Sequence, residues 1–109
     1  MKVVISNGNQ SADYIISMYK ENKDKVIVIN DDEATCKYLS KKNQMDVIYG
    51  KSTKEYDLKI AQIDNADLFI ALSNDDVTNY VACKMAKKLF NVKRCLAIVT
   101  NPKIVSIYK

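Results

Sequence analysis

The feature that most constrains this chain is an alternation of short β-branched runs with stretches whose apolar residues recur at helical spacing. The runs are Lys2 to Ile5, Lys25 to Ile29 (KVIVI), Asp46 to Tyr49 (DVIY), Asp67 to Leu72 (DLFIAL) and Cys95 to Val99. After the first, Ala12, Ile15, Ile16 and Tyr19 fall on one helical face. After the second, Asp31, Asp32 and Glu33 place carboxylates where a helix N-terminus favours them, which predicts a helix to about Lys42. Gly50 ends the third run, and a shorter helix is predicted near Lys54 to Gln62. Ser73 to Asp76 form a cap region for a helix lined by Val81, Ala82, Met85, Ala86 and Leu89. Continuous β-branched runs mark strands buried on both faces, as in parallel sheets. The pattern therefore predicts an α/β fold: a parallel sheet of about five strands, joined by right-handed crossovers and flanked by helices on both faces.

A chain of 109 residues with 48% apolar residues, two glycines and one proline is one domain's worth of core. Residues 1–100 are expected to form it. Residues 101–109 read as the start of a linker or dimer-contact segment, because Ile104, Val105, Ile107 and Tyr108 need cover. The start carries no basic stretch leading into an apolar one, and no run approaches the roughly 18 apolar residues of a membrane span, so a soluble piece is expected.

The chain has no histidine, which removes the usual general base and metal ligand. Ser-His-Asp hydrolysis, Cys-His proteolysis and nearly all zinc chemistry are thereby excluded. Cys36, Cys83 and Cys95 form no CxxC pair and read as reduced thiols packed as small apolar residues in a cytoplasmic protein. The net charge of +4 comes from lysines scattered along the chain, without a basic stripe or interleaved aromatics, so no nucleic-acid partner is expected.

In parallel sheets of this type ligands sit beyond the carboxyl ends of the strands, which directs attention to four connections. They are Asn7 to Ser11, Asn30 with Asp31, Gly50 to Thr53, and Ser73 to Asp76. The first occupies the place where dinucleotide-binding proteins carry Gly-x-Gly-x-x-Gly, but here the turn reads Asn7, Gly8, Asn9, Gln10, Ser11, Ala12. Asparagine visits positive φ, so Asn7 and Asn9 beside Gly8 preserve the turn's shape. A side chain at Asn9 nevertheless stands where a pyrophosphate approaches the backbone. Backbone amides at the helix start still offer a weak anion site. Asp75 and Asp76 read as helix caps, not metal ligands.

Three blocks carry a family likeness: INDDEATCKYL, IDNADLFIALSNDDVTNYVACKMAKKLFNVKR with its Asn79 and the Ala82 to Leu89 stretch, and the closing Ala97 to Pro102. Across almost its whole length the chain resembles the N-terminal domain (RCK N-terminal) of Trk/Ktr-type bacterial potassium-uptake regulatory proteins. The resemblance implies a Rossmann fold, NAD(H) or ATP/ADP as ligand, and a homo-dimer or higher oligomer. It also implies a non-enzymatic cytoplasmic role, peripheral to the membrane through a potassium transporter or channel subunit.

By the same resemblance the cofactor-binding positions are Asn7, Gly8, Asn9, Gln10, Ser11, Asn30, Asp31, Lys51, Ser52 and Ser73. The family's glycines correspond to Asn7, Asn9 and Ala12, and its ribose-binding acid to Asn30. An aspartate near the adenine edge corresponds to Lys51, and a phosphate-associated arginine to Ile98. Each loss costs on the order of 1–3 kcal/mol of polar contact, so a degenerate nucleotide site holding no cofactor is expected. The alternative is a working NAD(P)(H)- or ATP/ADP-sensing domain, including one in which Asn30 and Lys51 accommodate a 2′-phosphate. A dehydrogenase lacks a second domain and an acid-base group here. A receiver-like signalling domain lacks its phosphoacceptor aspartate, since Ser73 stands at the end of the fourth strand.

Overall fold

The computed structural model describes residues 1–98, and among these every side chain except those of Gln10 and Ser11. The expected linker or dimer-contact segment, 101–109, lies outside the described residues. Five strands and four helices alternate in chain order: β1 (Lys2–Ser6), α1 (Gln10–Glu21), β2 (Lys25–Asn30), α2 (Glu33–Asn43), β3 (Val47–Tyr49), α3 (Glu55–Ile60), β4 (Leu68–Ala71), α4 (Asp76–Phe90) and β5 (Arg94–Ala97). The strands form one all-parallel sheet in the order β3-β2-β1-β4-β5.

Alternate side chains on each strand feed two apolar layers. Val3 and Ile5 of β1 and Leu68 and Ile70 of β4 pack with Ala12 and Ile16 of α1 and Leu39 of α2. Val4, Phe69 and Ala71 face the other way and pack with Leu58 of α3 and Ala82, Cys83, Ala86 and Phe90 of α4. Burial on both faces explains why β1 and β4 read as unbroken apolar runs. Among the described residues the edge strand β5 is covered on one side only: Cys95 and Ala97 pack on the second layer, while Leu96 and the following Ile98 are 48% and 42% exposed.

Caps fix the helix ends. Asp32 accepts from the Thr35 backbone amide (3.0 Å), and Asp75 accepts from that of Val77 (3.0 Å) and from the Thr78 hydroxyl (3.1 Å). Asp13 of α1 ties α1 to α2, accepting from Asn43 Nδ2 at 2.7 Å and facing Lys42 at 3.7 Å. At the amino ends of the strands, Asp67 accepts from the Lys2 backbone amide (2.7 Å) and from Lys93 Nζ (3.1 Å), which holds its carboxyl below the usual range.

Two expectations change. The third helix is shorter than Lys54 to Gln62, because Gln62 turns left-handed at φ 57°. Leu89 does not line α4: it is 54% exposed, and Phe90, at 3%, takes the inward position. The reason is the register set by Ala86 and Ala82, which lie four and eight residues before Phe90 on one face.

Candidate nucleotide site

The strand order reverses between β1 and β4, and the loops that leave their carboxyl ends diverge there, opening the crevice where this class of fold binds ligands. The β1–α1 turn is made by two left-handed residues, Asn7 (φ 62°) and Gly8 (φ +86°). Asn7 is buried and its amide donates to the Ile29 carbonyl at 2.8 Å. Its Oδ1, like Ser6 Oγ and Ser52 Oγ, is buried without a hydrogen-bond partner. Glycine is required at Gly8: besides the positive φ, a Cβ there would lie 3.1 Å from Ala12 Cβ and 3.2 Å from Leu72 Cβ. Asn9 is exposed, and its carbonyl accepts from the Ala12 amide (3.1 Å) as α1 begins. Gln10 and Ser11 open that helix.

Asn30, at the end of β2, is 1% exposed, and both ends of its side-chain amide are engaged. Nδ2 donates to the Gly8 carbonyl at 3.0 Å, and Oδ1 accepts from the Asp32 backbone amide at 2.9 Å. One side chain thus fastens the β1–α1 turn to the start of α2. Its neighbour Asp31 is exposed. The Asn30 carbonyl accepts from the Gly50 amide at 2.9 Å and from Cys36 Sγ at 3.3 Å. Burial, together with the carboxylates of Asp32, Asp31 and Glu33, pushes the Cys36 thiol up.

Beyond Gly50 the chain turns towards α3. The Lys51 amide donates to Asp57 Oδ2 at 2.8 Å while its side chain is exposed, and Ser52 is buried. On the far side of the crevice, Ser73 is held at both backbone groups by Asn79 of α4. Ser73 N donates to Asn79 Oδ1 (3.0 Å), and Asn79 Nδ2 donates to Ser73 O (2.8 Å) and to Ile98 O (3.2 Å). Ser73 Oγ accepts from the Asp75 amide at 3.1 Å.

The fold thus brings Asn7, Gly8, Asn9, Asn30 and Ser73 to adjoining loops, whereas Lys51 and Ser52 belong to the β3–α3 connection at the sheet's edge. Two contributors were not singled out from the sequence. One is the role of Asn79 as the anchor of Ser73, a residue that the sequence marked only as part of the family likeness. The other is an open cleft of about 460 Å³ lined by Asn9, Ala34, Thr35 and Tyr38, which needs α2 folded against the turn. Among the described residues no group of three or more Cys, Asp or Glu is placed to hold a metal ion, and no helix is long and apolar enough to cross a membrane.

A family model described as the TrkA-N domain matches residues 3–109. The chain is 28% identical over 102 residues to a Trk system potassium uptake protein TrkA homolog of Methanothermobacter thermautotrophicus, covering 94% of this chain and 47% of the relative. It is 30% identical over 104 residues to the Trk system potassium uptake protein TrkA of Vibrio alginolyticus, covering 94% and 22%. The chain therefore spans less than half the length of these relatives.

Among solved structures, the GsuK channel bound to NAD superposes with a TM-score of 0.85 at 19% identity, over 98% of this chain and 19% of the channel's. The NAD(P)-binding domain of an exopolyphosphatase-related protein from Archaeoglobus fulgidus superposes at 0.83 and 13% identity, over 98% and 79%. At those identities the superpositions speak for the Rossmann-like fold alone. The sequence match over residues 3–109, on a five-stranded parallel sheet of this order, places the chain in the TrkA-N (RCK N-terminal) domain family.

Proposed function

We propose that this domain is a non-catalytic regulatory module of a potassium-transport system whose nucleotide site has become degenerate. It would act in the cytoplasm through contacts with a membrane transporter or channel subunit, as a homo-dimer or higher oligomer. Family membership supports the regulatory role. The observation that carries the degenerate site is the Asn30 clasp. Recognition of a ribose by this family's pattern needs an acid that accepts from two hydroxyls, but Asn30 is 1% exposed and spends Oδ1 on Asp32 and Nδ2 on Gly8. Lys51, with donors only, offers no acceptor to an adenine amino group. The residues present therefore do not fit NAD(H) or ATP/ADP in the family's manner.

A second reading, a working nucleotide sensor, draws support from the cleft beside Asn9, whose Thr35 and Tyr38 can face a sugar or a base, and from the retained left-handed turn. Calorimetric titration with NADH, NADPH, ATP and ADP at millimolar concentration separates the two. The degenerate reading expects no saturable binding tighter than about 100 μM. Tighter binding that is lost on Asn9→Asp makes the domain a nucleotide-gated regulator.

A further inference from the structure

Cysteines 83 and 95 are twelve positions apart in sequence and meet across the layer between α4 and the edge strand. Cys83 is buried at 6% exposure, while Cys95 is half-buried. The Cys95 thiol donates to the Cys83 carbonyl oxygen at 3.7 Å, and both side chains pack in the same apolar layer. Ala82 and Ala86 flank Cys83 on α4 and Ala97 follows Cys95 on β5, so small side chains let helix and strand approach closely. Both residues are free thiols.

The two sulfurs are not equivalent. Cys95 is the more exposed of the two, and the ammonium of Lys87, one turn further along α4, favours the charged form of either sulfur. The pairing of the two cysteines, with burial, pushes the Cys83 thiol up, while the same pairing and Lys87 lower that of Cys95. The partly exposed Cys95 is the sulfur that a peroxide can reach, and the buried Cys83 must give up its proton as it resolves. Cys36 offers a contrast: it is buried, bonded to the Asn30 carbonyl and ringed by carboxylates that disfavour its thiolate.

We propose that Cys83 and Cys95 form an oxidation site that closes to an intramolecular disulfide when the domain meets a small peroxide. The Cys95 thiolate attacks one oxygen of hydrogen peroxide, forming a sulfenic acid and releasing hydroxide. Cys83 sulfur then attacks the Cys95 sulfur, its proton and the departing hydroxyl leaving as water. In sum, two thiols are oxidised and one peroxide is reduced to two waters. Closure requires the sulfurs to approach to about 2.05 Å. The bridge would join β5 to α4 one turn beyond Asn79, the residue that holds Ser73 and Ile98, and so would stiffen the crevice from below.

The test treats the purified, folded protein with hydrogen peroxide and reads intact mass, thiol alkylation and a peptide map without reductant. The expected result is a loss of two hydrogens, protection of Cys83 and Cys95 from alkylation, a linked pair of peptides containing them, and Cys36 still alkylatable after unfolding. Dithiothreitol should restore all three thiols. In Cys83→Ser, Cys95 should accumulate as a sulfenic acid trapped by dimedone, and Cys36→Ser should form the bridge as the parent does. An unchanged mass, a bridge that uses Cys36, cross-linked dimers, or oxygen added to Cys95 without a bridge in the parent protein would each overturn the proposal.

Discussion

Asn30 Nδ2 donates to the carbonyl of Gly8 at 3.0 Å, so a side chain at the end of β2 holds the backbone of the turn that follows β1. The donor is essential to that geometry. An acid at the same place would set a carboxylate oxygen against the Gly8 oxygen and would have nothing to donate.

Asn30→Asp should therefore destabilise the domain by about 1–3 kcal/mol at neutral pH, from one lost hydrogen bond and one buried repulsion. The buried carboxyl of the variant has a folded pKa raised above the unfolded value of about 3.9. Its penalty is then fully present at high pH and shrinks as the pH falls and the carboxyl takes up a proton, which can donate to Gly8. Urea denaturation at pH 7 and near pH 4 should show the deficit narrowing in acid.

Asn79 serves three backbone bonds with one buried side chain. Asn79→Ala removes them together and leaves Ser73 N and O and Ile98 O to find other partners. A loss of about 3 kcal/mol is expected, read as a lower urea midpoint with an unchanged slope. Hydrogen exchange should report faster opening at the Ser73 amide.

With only two glycines, this chain ends its helices on residues that carry side chains in the left-handed region: Gln44 at φ 51° after α2 and Asn91 at φ 55° after α4. Glycine meets no steric objection there. Gln44→Gly should raise stability by about 0.5–1 kcal/mol, measurable as a higher thermal midpoint, whereas Asn91→Gly should gain less because asparagine tolerates this conformation better.

Acid should unfold the domain through three carboxyls held below the ordinary carboxylate range. Asp67 is lowered by the Lys2 amide and Lys93, Asp32 by Thr35, and Asp24 by Asn22 and the N-terminal ammonium. A lowered folded pKa means that the stabilisation is complete above the unfolded value and is lost as the pH falls through the folded one. On this account the acid limb begins below about pH 4. Asp67→Asn should blunt it while retaining part of the contact to Lys2, as circular dichroism across an acid titration will show.

The strands were legible because a sheet covered on both sides selects continuous β-branched runs, and Val3 to Ile5 and Leu68 to Ala71 have no solvent-facing position to fill. Helix starts were legible from Asp32 and Asp75, whose carboxylates accept from the first-turn amides. The end of α3 was not, because Gln62 adopts positive φ and nothing in that residue type announces it. Leu89 and Phe90 are equally apolar neighbours, and only the contact of Ala82 and Ala86 with the sheet decides which of them turns inward. At the site, the sequence identified Asn30 as a departure from an acid. What the amide does instead depends on Gly8, 22 residues away, whose carbonyl is brought into reach by the pairing of β1 with β2.

That pairing differs in kind from the one on the other side of β1. The β1–β2 register joins Lys2 to Lys25, and the β2–β3 register joins Val28 to Val47, so each closes a short stretch of chain. The β1–β4 register joins Val3 to Leu68, a loop roughly three times as long, and loop-closure entropy delays such contacts during folding. The first three strands can assemble from near neighbours while the central strand still has one open flank. The crevice lies at that flank, so it does not exist until β4 docks, and the order of assembly makes it one of the last parts of the domain to be built.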